Sequence, residues 1–322
     1  MTAKRPLVSV LMPVYRGERY LAEAIQSVLG QTHENLELIV VDDGSPDGSA
    51  EIVAGFREDA RVRYVEQENQ GVAAARNTGL GLATGKYVGF CDQDDWWLPR
   101  KLESQVGFLE AHPDVALVHG RIEYIDSAGA VMPPPDGRMW FGEAAGACFG
   151  RLFMGNRIAV VSALVRADAI TAVGPFKAHR PGVDDYDLWL RIARRFALGF
   201  QDEVVAHYRW HDTNEALKWW RQTERTAALL EEHLESDPAI WRDLGKAAVN
   251  ARLAGLYLDL ARYYQRQGPA EEARRVWRKV LSNRAGCWEC YWGIAVGYVP
   301  TQYRTALAWY GKKLKRLLGN AP

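Results

Sequence analysis

Three carboxylates fall within four positions directly after a short apolar run. The run spans residues 86–91, and the acids are Asp92, Asp94 and Asp95. A run of this length bounded by turn residues predicts a buried strand, and open α/β sheets bind ligands beyond the carboxyl ends of their strands. Asp92 and Asp94 can therefore converge on one divalent cation, because hard cations prefer oxygen ligands.

A solvated acidic turn is the alternative interpretation of this segment. It would cap the helix predicted to begin near Pro99, with Asp95 as the capping residue. The segment alone does not decide between a metal site and a cap.

A second pair of acids, Asp42 and Asp43, follows the apolar run 37–41. Aspartates are common in turns between strands and helices, where they cap the next helix. Doubled acids at two strand ends of one sheet would, however, place like charges at the same edge. That arrangement costs free energy unless a cation or hydrogen-bond donors compensate. A metal ion together with a nucleotide would compensate in this way.

Strands and helices alternate through the first part of the chain. In the first predicted helix, the apolar residues Leu21, Ile25 and Val28 keep a spacing of three or four positions, which indicates one buried face. This alternation predicts a parallel, Rossmann-like sheet with short loops. The predicted strands are 7–15, 37–41, 62–65 and 86–90, and the predicted helices begin after Gly17, at Ser49 and near Gly71.

The middle of the chain, residues 115–165, predicts two strands joined by a turn, a helical segment around 144–153 and a further strand. Residues 184–192 predict a helix whose acidic residues lie at its positive end. The last predicted strand of this region spans residues 204–211.

Helical spacing dominates from Glu215 onward, so we predict a domain of residues 1–214 and a helical C-terminal extension of residues 215–322. Residues 262–281 of the extension resemble a single tetratricopeptide-type hairpin, which cannot bury its own apolar face. Residues 303–318 mix aromatic and leucine side chains with lysine and arginine. Such a helix is either solvated or lies on an anionic membrane surface.

Composition excludes several classes of protein. The 40 basic and 40 acidic residues balance, which argues against a dedicated nucleic-acid binder. Of four cysteines, Cys287 and Cys290 form one CxxC pair, which predicts reduced thiols rather than a disulfide framework or a zinc site. We recognise no signal peptide and no apolar stretch long enough to span a bilayer. We expect a cytoplasmic protein, either soluble or peripheral at the inner face of the membrane.

Six segments in a fixed order carry a resemblance to a known family. They are residues 9–15, 25–32, 37–45, 69–77, 85–95 and 185–190. Through them, residues 7–212 resemble the inverting glycosyltransferases of family 2, which have the GT-A fold. The resemblance implies an α/β fold with a GT-A Rossmann-like mixed, mainly parallel sheet flanked by helices. The C-terminal helical extension would follow it.

The resemblance also assigns residues to a nucleotide-sugar site. Pro13 and Tyr15 would line the nucleoside pocket, and Asp43 would accept a hydrogen bond from uracil, with Asp42 beside it. An ionised carboxylate only accepts hydrogen bonds, which suits a donor group of a base or ribose. Arg76 would lie near the diphosphate, with a surface salt bridge as its alternative role.

The metal and the general base are implied in the same way. Asp92 and Asp94 match the DxD signature of the family, with Asp94 as the candidate for direct metal contact. His211 falls where related enzymes place a histidine near the metal or diphosphate, and a structural histidine is the alternative. Asp185 matches the catalytic base, and a helix terminus is expected to keep it ionised at neutral pH. This chain departs from the family at Asp184, where the family usually has glutamate.

The resemblance implies a metal-dependent inverting glycosyltransferase that moves a sugar from a nucleotide-diphosphate sugar, by preference a UDP-sugar, to an acceptor hydroxyl. Cell-surface glycan assembly is the setting that the family implies. The expected cofactor is Mn²⁺ or Mg²⁺, and the expected acceptor is a glycan or a lipid-linked molecule. A nucleotidyltransferase is one alternative, for which residues 13–17 make a poor phosphate loop. A catalytically silent nucleotide-binding or scaffold protein, which would bind partners through the helical tail, is another. The sugar, the acceptor and the linkage are not readable from the sequence.

Overall fold

The computed structural model describes residues 5–135 and 141–283, together with residues 291, 294, 295 and 298. The chain forms two compact units, Met1–Asn214 and Glu215–Pro322. The CxxC pair and the basic segment 303–318 lie outside the described residues.

A mixed sheet forms the centre of the first unit. Its strands are β1 (Val8–Val14), β2 (Leu36–Asp42), β3 (Val62–Glu66), β4 (Tyr87–Phe90), β5 (Trp96–Trp97), β6 (Val115–Ile125), β7 (Val131–Met132), β8 (Leu164–Arg166) and β9 (Ala197–Arg209). Their order across the sheet is β3-β2-β1-β4-β8-β6-β9-β5, and β7 pairs with β6. Parallel pairing joins β1 to β2 and β4, β2 to β3, and β6 to β9. The predicted parallel core is confirmed, and β8 runs antiparallel to both β4 and β6.

Helices pack against this sheet. In the first unit they are α1 (Leu21–Leu29), α2 (Ser49–Ala54), α3 (Val72–Leu82), α4 (Lys101–Ala111), α5 (Phe149–Phe153), α6 (Ala167–Val173) and α7 (Asp184–Arg195). The face of α1 predicted from apolar spacing is buried, with Leu21, Ile25 and Val28 fully inaccessible. Helix α7 has acids in its first turn and arginines in its last, as the helix dipole favours.

Every residue of β1 and β4 is buried. Strands that are covered on both faces are encoded as continuous apolar runs, which is why the sequence indicates these two so clearly. Trp97 fills the space beside β4, where its indole Nε1 donates a hydrogen bond to the carbonyl oxygen of Val161 at 3.0 Å. Trp97, which follows the acidic loop, thereby packs against the strand that precedes it.

The helix predicted around residues 144–153 is shorter than expected and covers only Phe149–Phe153. Gly146 has a φ of 68° and forms an antiparallel bridge with Leu198. The backbone groups of this segment therefore bond to a strand instead of continuing a helix.

The second unit is helical. Its described helices are α8 (Trp219–Ser236), α9 (Ala239–Leu244), α10 (Lys246–Gln267) and α11 (Ala270–Asn283). Helices α10 and α11 form the predicted hairpin, and α8 packs on α10. Buried side chains such as Leu230 of α8, Leu260 of α10 and Trp277 of α11 form its core. No helix in the described part of the chain is long and apolar enough to cross a membrane.

Gly89 in β4 tests the packing of the strand that carries the acidic loop. A Cβ at this position would lie 2.7 Å from Cη2 of Trp97, which is fully buried. We expect Gly89→Ala to lower the free energy of unfolding by about 1–3 kcal/mol, because overpacking displaces a core side chain. Urea denaturation measures the loss.

The matched control is Gly107→Ala in helix α4, where an added Cβ would have nothing within 4 Å. This change should be neutral or raise the free energy of unfolding by up to about 1 kcal/mol, because alanine favours helix. Equal effects of the two substitutions would contradict the packing described for Trp97.

Candidate active site

The carboxyl ends of the neighbouring parallel strands β2, β1 and β4 meet at one edge of the sheet. Pro13 lies near the end of β1 and Tyr15 follows it, Asp42 ends β2, and Asp92 and Asp94 follow β4. Tyr15 is 42% exposed, and the Arg16 guanidinium carbon lies 5.4 Å from the centre of its ring. The edge thus gathers side chains from three separate segments.

Asp42 is almost completely buried at the end of β2. Its carboxylate accepts hydrogen bonds from the backbone N–H of Ser45 at 2.8 Å and from the hydroxyl of Tyr64 at 2.9 Å. Burial and this hydrogen bond raise the pKa of Tyr64 well above its ordinary value, so the phenol remains a donor. Protein donors therefore compensate the Asp42 charge, which is one of the two forms of compensation considered from the sequence.

Asp43 accepts three hydrogen bonds from the loop between β3 and α3. Its Oδ1 accepts from the Gln67 side-chain amide at 2.7 Å and from the Gln70 backbone N–H at 2.9 Å, and its Oδ2 accepts from the Gly71 backbone N–H at 2.7 Å. The carboxylate fixes this loop against β2. Oδ2 keeps acceptor capacity for one further N–H group.

A buried arginine links two distant parts of the site. Nη1 of Arg76 donates to Oδ2 of Asp184 at 2.7 Å, and Nη2 donates to both oxygens of Asp92 at 2.8 and 3.1 Å. Arg76 is only 5% exposed, so this salt bridge is buried and does not lie at the surface. Burial alone would lower the pKa of the guanidinium, but the two carboxylates raise it above its ordinary value, and the group stays charged.

The three acids in the first turn of α7 have different surroundings. Asp184 is held by Arg76. Asp187 is fully buried, and Nε of Arg191 lies 2.7 Å from its Oδ2. Asp185 has no salt-bridge partner among the described residues, and its Oδ1 accepts the backbone N–H of the next residue at 2.7 Å.

Burial and the neighbouring Asp184 carboxylate raise the pKa of Asp185 to about 7, although the charge of Arg76 acts in the opposite direction. At this pKa the Asp185 carboxyl is only partly ionised at neutral pH, so the helix terminus does not keep it ionised to the extent expected from the sequence. Desolvation and like-charge repulsion exceed the opposing effects of the Arg76 charge and of the Tyr186 backbone N–H. A carboxylate with this pKa is well placed to take up a proton near neutral pH.

Asp94 and His211 form a second chemical pair at the sheet edge. Nε2 of His211 lies 2.9 Å from Oδ2 of Asp94, and Nδ1 lies 2.8 Å from Oγ1 of Thr213. His211 follows the end of β9 and lies in a loop, beyond the strand predicted to contain it. A carboxylate only accepts hydrogen bonds, so Nε2 donates to Asp94 when it carries the ring proton. A metal ligand would need the other tautomer, in which Nδ1 donates to Thr213 and Nε2 presents a lone pair.

This pair fits a divalent cation. Two neighbouring ligands of an octahedral ion at about 2.1 Å lie about 3 Å apart, which matches the separation of these two atoms. The described residues contain no group of three His, Cys, Asp or Glu side chains that could hold a metal ion. Asp92 is engaged by Arg76, so the remaining ligands would be diphosphate oxygens and water, as is usual for Mg²⁺.

Arg209 supports this pair and was not identified from the sequence. It is 1% exposed, and its guanidinium donates to Oε2 of Glu23 in α1 at 2.6 Å and to the backbone carbonyl of Asp94 at 3.0 Å. Its backbone N–H donates to Asp95 at 3.1 Å, so Asp95 does not cap helix α4, which begins without a side-chain cap. A charged residue between aromatic ones, in the segment 208–210, was the available signal.

Solved structures of glycosyltransferases share this architecture. S. aureus TarS 1-349, in complex with UDP-GlcNAc, aligns with a TM-score of 0.58 at 17% identity and covers 86% of this chain and 88% of that chain. The mannosyltransferase PcManGT from Pyrobaculum calidifontis, in complex with GDP-Man and Mn²⁺, aligns with a TM-score of 0.59 at 20% identity, with 95% and 84% covered. The first unit therefore has the GT-A fold of glycosyltransferases.

Sequence comparison defines the family. Residues 9–154 match the model described as glycosyl transferase family 2. An uncharacterized glycosyltransferase from Rickettsia typhi is 32% identical over 240 residues, which cover 73% of this chain and 70% of that protein. The chain belongs to glycosyl transferase family 2. It spans 34% of the length of three further Rickettsia relatives.

Replacing Arg76 by glutamine tests the buried salt bridge. The change leaves Asp92 and Asp184 without their cation, and we expect the free energy of unfolding to fall by about 3–5 kcal/mol. Chemical denaturation of the purified variant measures the loss.

Arg121→Gln is the control. Nε of Arg121 lies 3.2 Å from Asp202, and the two side chains are 47% and 76% exposed. Loss of such a surface pair should cost less than about 1 kcal/mol. A similarly small loss for Arg76→Gln would mean that the buried bridge does not hold the site together.

Proposed function

We propose that the chain is a metal-dependent inverting glycosyltransferase that moves a sugar from a nucleotide-diphosphate sugar to an acceptor hydroxyl. The observation that carries this proposal is Asp185, a carboxylate with a pKa raised to about 7 and no salt-bridge partner among the described residues. A salt-bridge network connects helix α7, which carries Asp185, to the loop that carries Asp94. It is formed by Asp184, Arg76 and Asp92. A transferase needs this proximity, because it must deprotonate an acceptor beside a bound donor.

The donor would bind across the carboxyl ends of β1, β2 and β4. The residues proposed to contact it are Pro13, Tyr15, Asp42, Asp43, Arg76 and Asp92. Support for Asp43 comes from the acceptor capacity left on Oδ2, and support for Tyr15 comes from its exposed ring. We propose a UDP-sugar as the donor, and the UDP-GlcNAc complex of TarS is consistent with it. The GDP-Man complex of PcManGT makes GDP the first competitor to test.

Asp94 and His211 would hold Mn²⁺ or Mg²⁺. The 2.9 Å separation of their ligand atoms supports this assignment. A bound ion supplies positive charge opposite the negative charge that develops on the leaving diphosphate. Arg209 would orient Asp94 through its backbone carbonyl, and Thr213 would set the tautomer of His211.

Asp185 would act as the general base. It accepts the proton of the acceptor hydroxyl while that oxygen attacks the anomeric carbon of the donor. The new carbon–oxygen bond forms opposite the diphosphate, and the old bond breaks with its electron pair leaving on the nucleoside diphosphate. This single displacement inverts the configuration at the anomeric carbon.

The acceptor is proposed to be a glycan or a lipid-linked molecule in cell-surface glycan assembly, on the basis of family membership. Residues 1–214 would be the catalytic domain, and residues 215–322 its helical extension. A cytoplasmic location, or a peripheral one at the inner face of the membrane, stays a prediction. So does membrane contact through residues 303–318, which lie outside the described residues.

The role of Asp185 predicts the pH dependence of catalysis. Only the deprotonated carboxylate accepts the acceptor proton, so kcat/KM should be highest above pH 7 and should fall as the pH drops through about 7. Asp185→Asn should lower kcat by about 10²–10⁴-fold and leave the dissociation constant of the donor nearly unchanged. Steady-state kinetics and calorimetry measure the two quantities.

Asp168→Asn, at an exposed position of helix α6, is the matched control and should keep the wild-type rate and profile. Transfer that survives in Asp185→Asn would remove Asp185 from the role of base.

Nucleotide binding tests the donor site directly. We expect UDP with Mn²⁺ to raise the melting temperature more than GDP, dTDP or ADP, because UDP is the nucleotide of the proposed donor. A ligand at about 100 times its dissociation constant stabilises the native state by about 2.7 kcal/mol. Asp94→Ala should remove the part of the shift that depends on the metal. A thermal-shift titration of each nucleotide, with and without Mn²⁺ or Mg²⁺, measures both effects.

Asp114→Ala, in the exposed turn before β6, should respond as the wild type does. Equal metal-dependent shifts in Asp94→Ala and the wild type would refute the metal assignment. The absence of any shift with all four nucleotides would favour the scaffold alternative.

A further inference from the structure

Gln93 is the residue between the two aspartates of the DxD segment, and its side chain turns toward the loop that follows β1. Its Oε1 accepts the backbone N–H of Tyr15 at 2.8 Å, and its Nε2 donates to the backbone carbonyl of Tyr15 at 3.0 Å. One side-chain amide thus pairs with both polar groups of a single backbone residue. The two partners are 78 residues apart in the sequence.

The opposite side of the same loop is held by three side chains that follow β2. Successive backbone N–H groups of residues 16, 17 and 18 donate to Oγ of Ser45 at 3.1 Å, Oγ of Ser49 at 3.0 Å and Oδ2 of Asp47 at 3.2 Å. The loop of residues 15–18 is therefore fixed from β2 on one side and from Gln93 on the other.

The backbone of this loop needs such restraint. Arg16 has a φ of 55°, a left-handed conformation that is uncommon for a residue other than glycine. Backbone of this kind persists only where surrounding bonds hold it. At Gly17, an added Cβ would lie 2.6 Å from Oε1 of Gln93, so the glycine permits the close approach of the amide.

We propose that Gln93 is a positioning residue for nucleoside recognition. Its amide holds the backbone of Tyr15, and with it the exposed Tyr15 ring, in the geometry that receives the nucleoside. Gln93 does not contact the donor itself and acts through Tyr15. Because Asp94 is the next residue, the same loop carries both the metal ligand and the support of the nucleoside pocket. This inference rests on the proposed donor site.

Gln93→Ala separates this role from an effect on the loop of residues 92–95, called the metal loop here because it carries the proposed metal ligand Asp94. Uridine lacks phosphates and would contact the nucleoside pocket but not the metal. We expect the dissociation constant of uridine, measured by ligand-observed NMR, to rise about tenfold, because the Tyr15 backbone freed from Gln93 must be ordered again when uridine binds. The constant for UDP with Mn²⁺, measured by calorimetry, should rise by a similar factor. With the donor sugar, KM should rise while kcat stays close to the wild-type value.

Gln93→Glu is the second variant. A carboxylate keeps the shape and can accept from the Tyr15 N–H, but it cannot donate to the Tyr15 carbonyl. It should weaken uridine binding at least as much as alanine does, because a carboxylate oxygen would take the place of Nε2 and repel the Tyr15 carbonyl oxygen. Gln201→Ala is the matched control, since this glutamine binds Ser104 instead, and it should bind uridine as the wild type does.

The outcomes are distinct. Uridine binding that is unchanged in Gln93→Ala, with weaker binding of UDP and Mn²⁺, would place the effect of Gln93 in the metal loop and overturn the inference. Unchanged binding of both ligands would overturn it as well, while the proposed donor site would stand. If the wild-type protein binds none of uridine, UDP, guanosine and GDP, the proposed function is overturned. The role proposed for Gln93 is then overturned with it.

Discussion

The rest of the site depends on one interaction, the pairing of the buried Arg76 guanidinium with Asp92 and Asp184. Without it, Asp92 and Asp184 would be two carboxylates near each other in a poorly hydrated space, and their burial would be costly. Their attraction to one cation brings the loop after β4 against the first turn of α7, although Asp184 lies 108 residues from Arg76. Asp185 is held near the loop that follows β4, because its neighbour Asp184 is anchored by Arg76 in this way.

The aspartates of the site show how surroundings give one residue type different chemistry. Asp43 accepts hydrogen bonds from a neighbouring loop and is a structural acceptor with capacity left for a ligand. Asp92 forms a salt bridge with Arg76, and Oδ2 of Asp94 lies within hydrogen-bond distance of His211. The pKa of Asp185 is raised because its carboxyl is desolvated and lies near the like charge of Asp184, and it forms no salt bridge with any described residue. Residues of one type thus differ in their partners because a different set of neighbouring segments surrounds each of them.

Much of the fold could be predicted because its signals are local. Strands β1 and β4 are buried on both faces and appear as continuous apolar runs, and the spacing of apolar residues identified α1. The sequence predicted too long a helix at α5, because the bridge between Gly146 and Leu198 joins segments that are distant in sequence. The supports of the site were missed for the same reason: Gln93 and Arg209 look ordinary until their partners are brought beside them.

By itself, the sequence determined the family, the order of the motifs and the placement of acids after strands, since each depends on residues that are close along the chain. Only the tertiary structure decided which acid is paired and which is not. It placed Arg76 between Asp92 and Asp184 and left Asp185 with a raised pKa, against the expectation that a helix terminus keeps this carboxyl ionised at neutral pH. The physical reason is that hydration and the distances between charges, which set a pKa, exist only once distant segments have packed together.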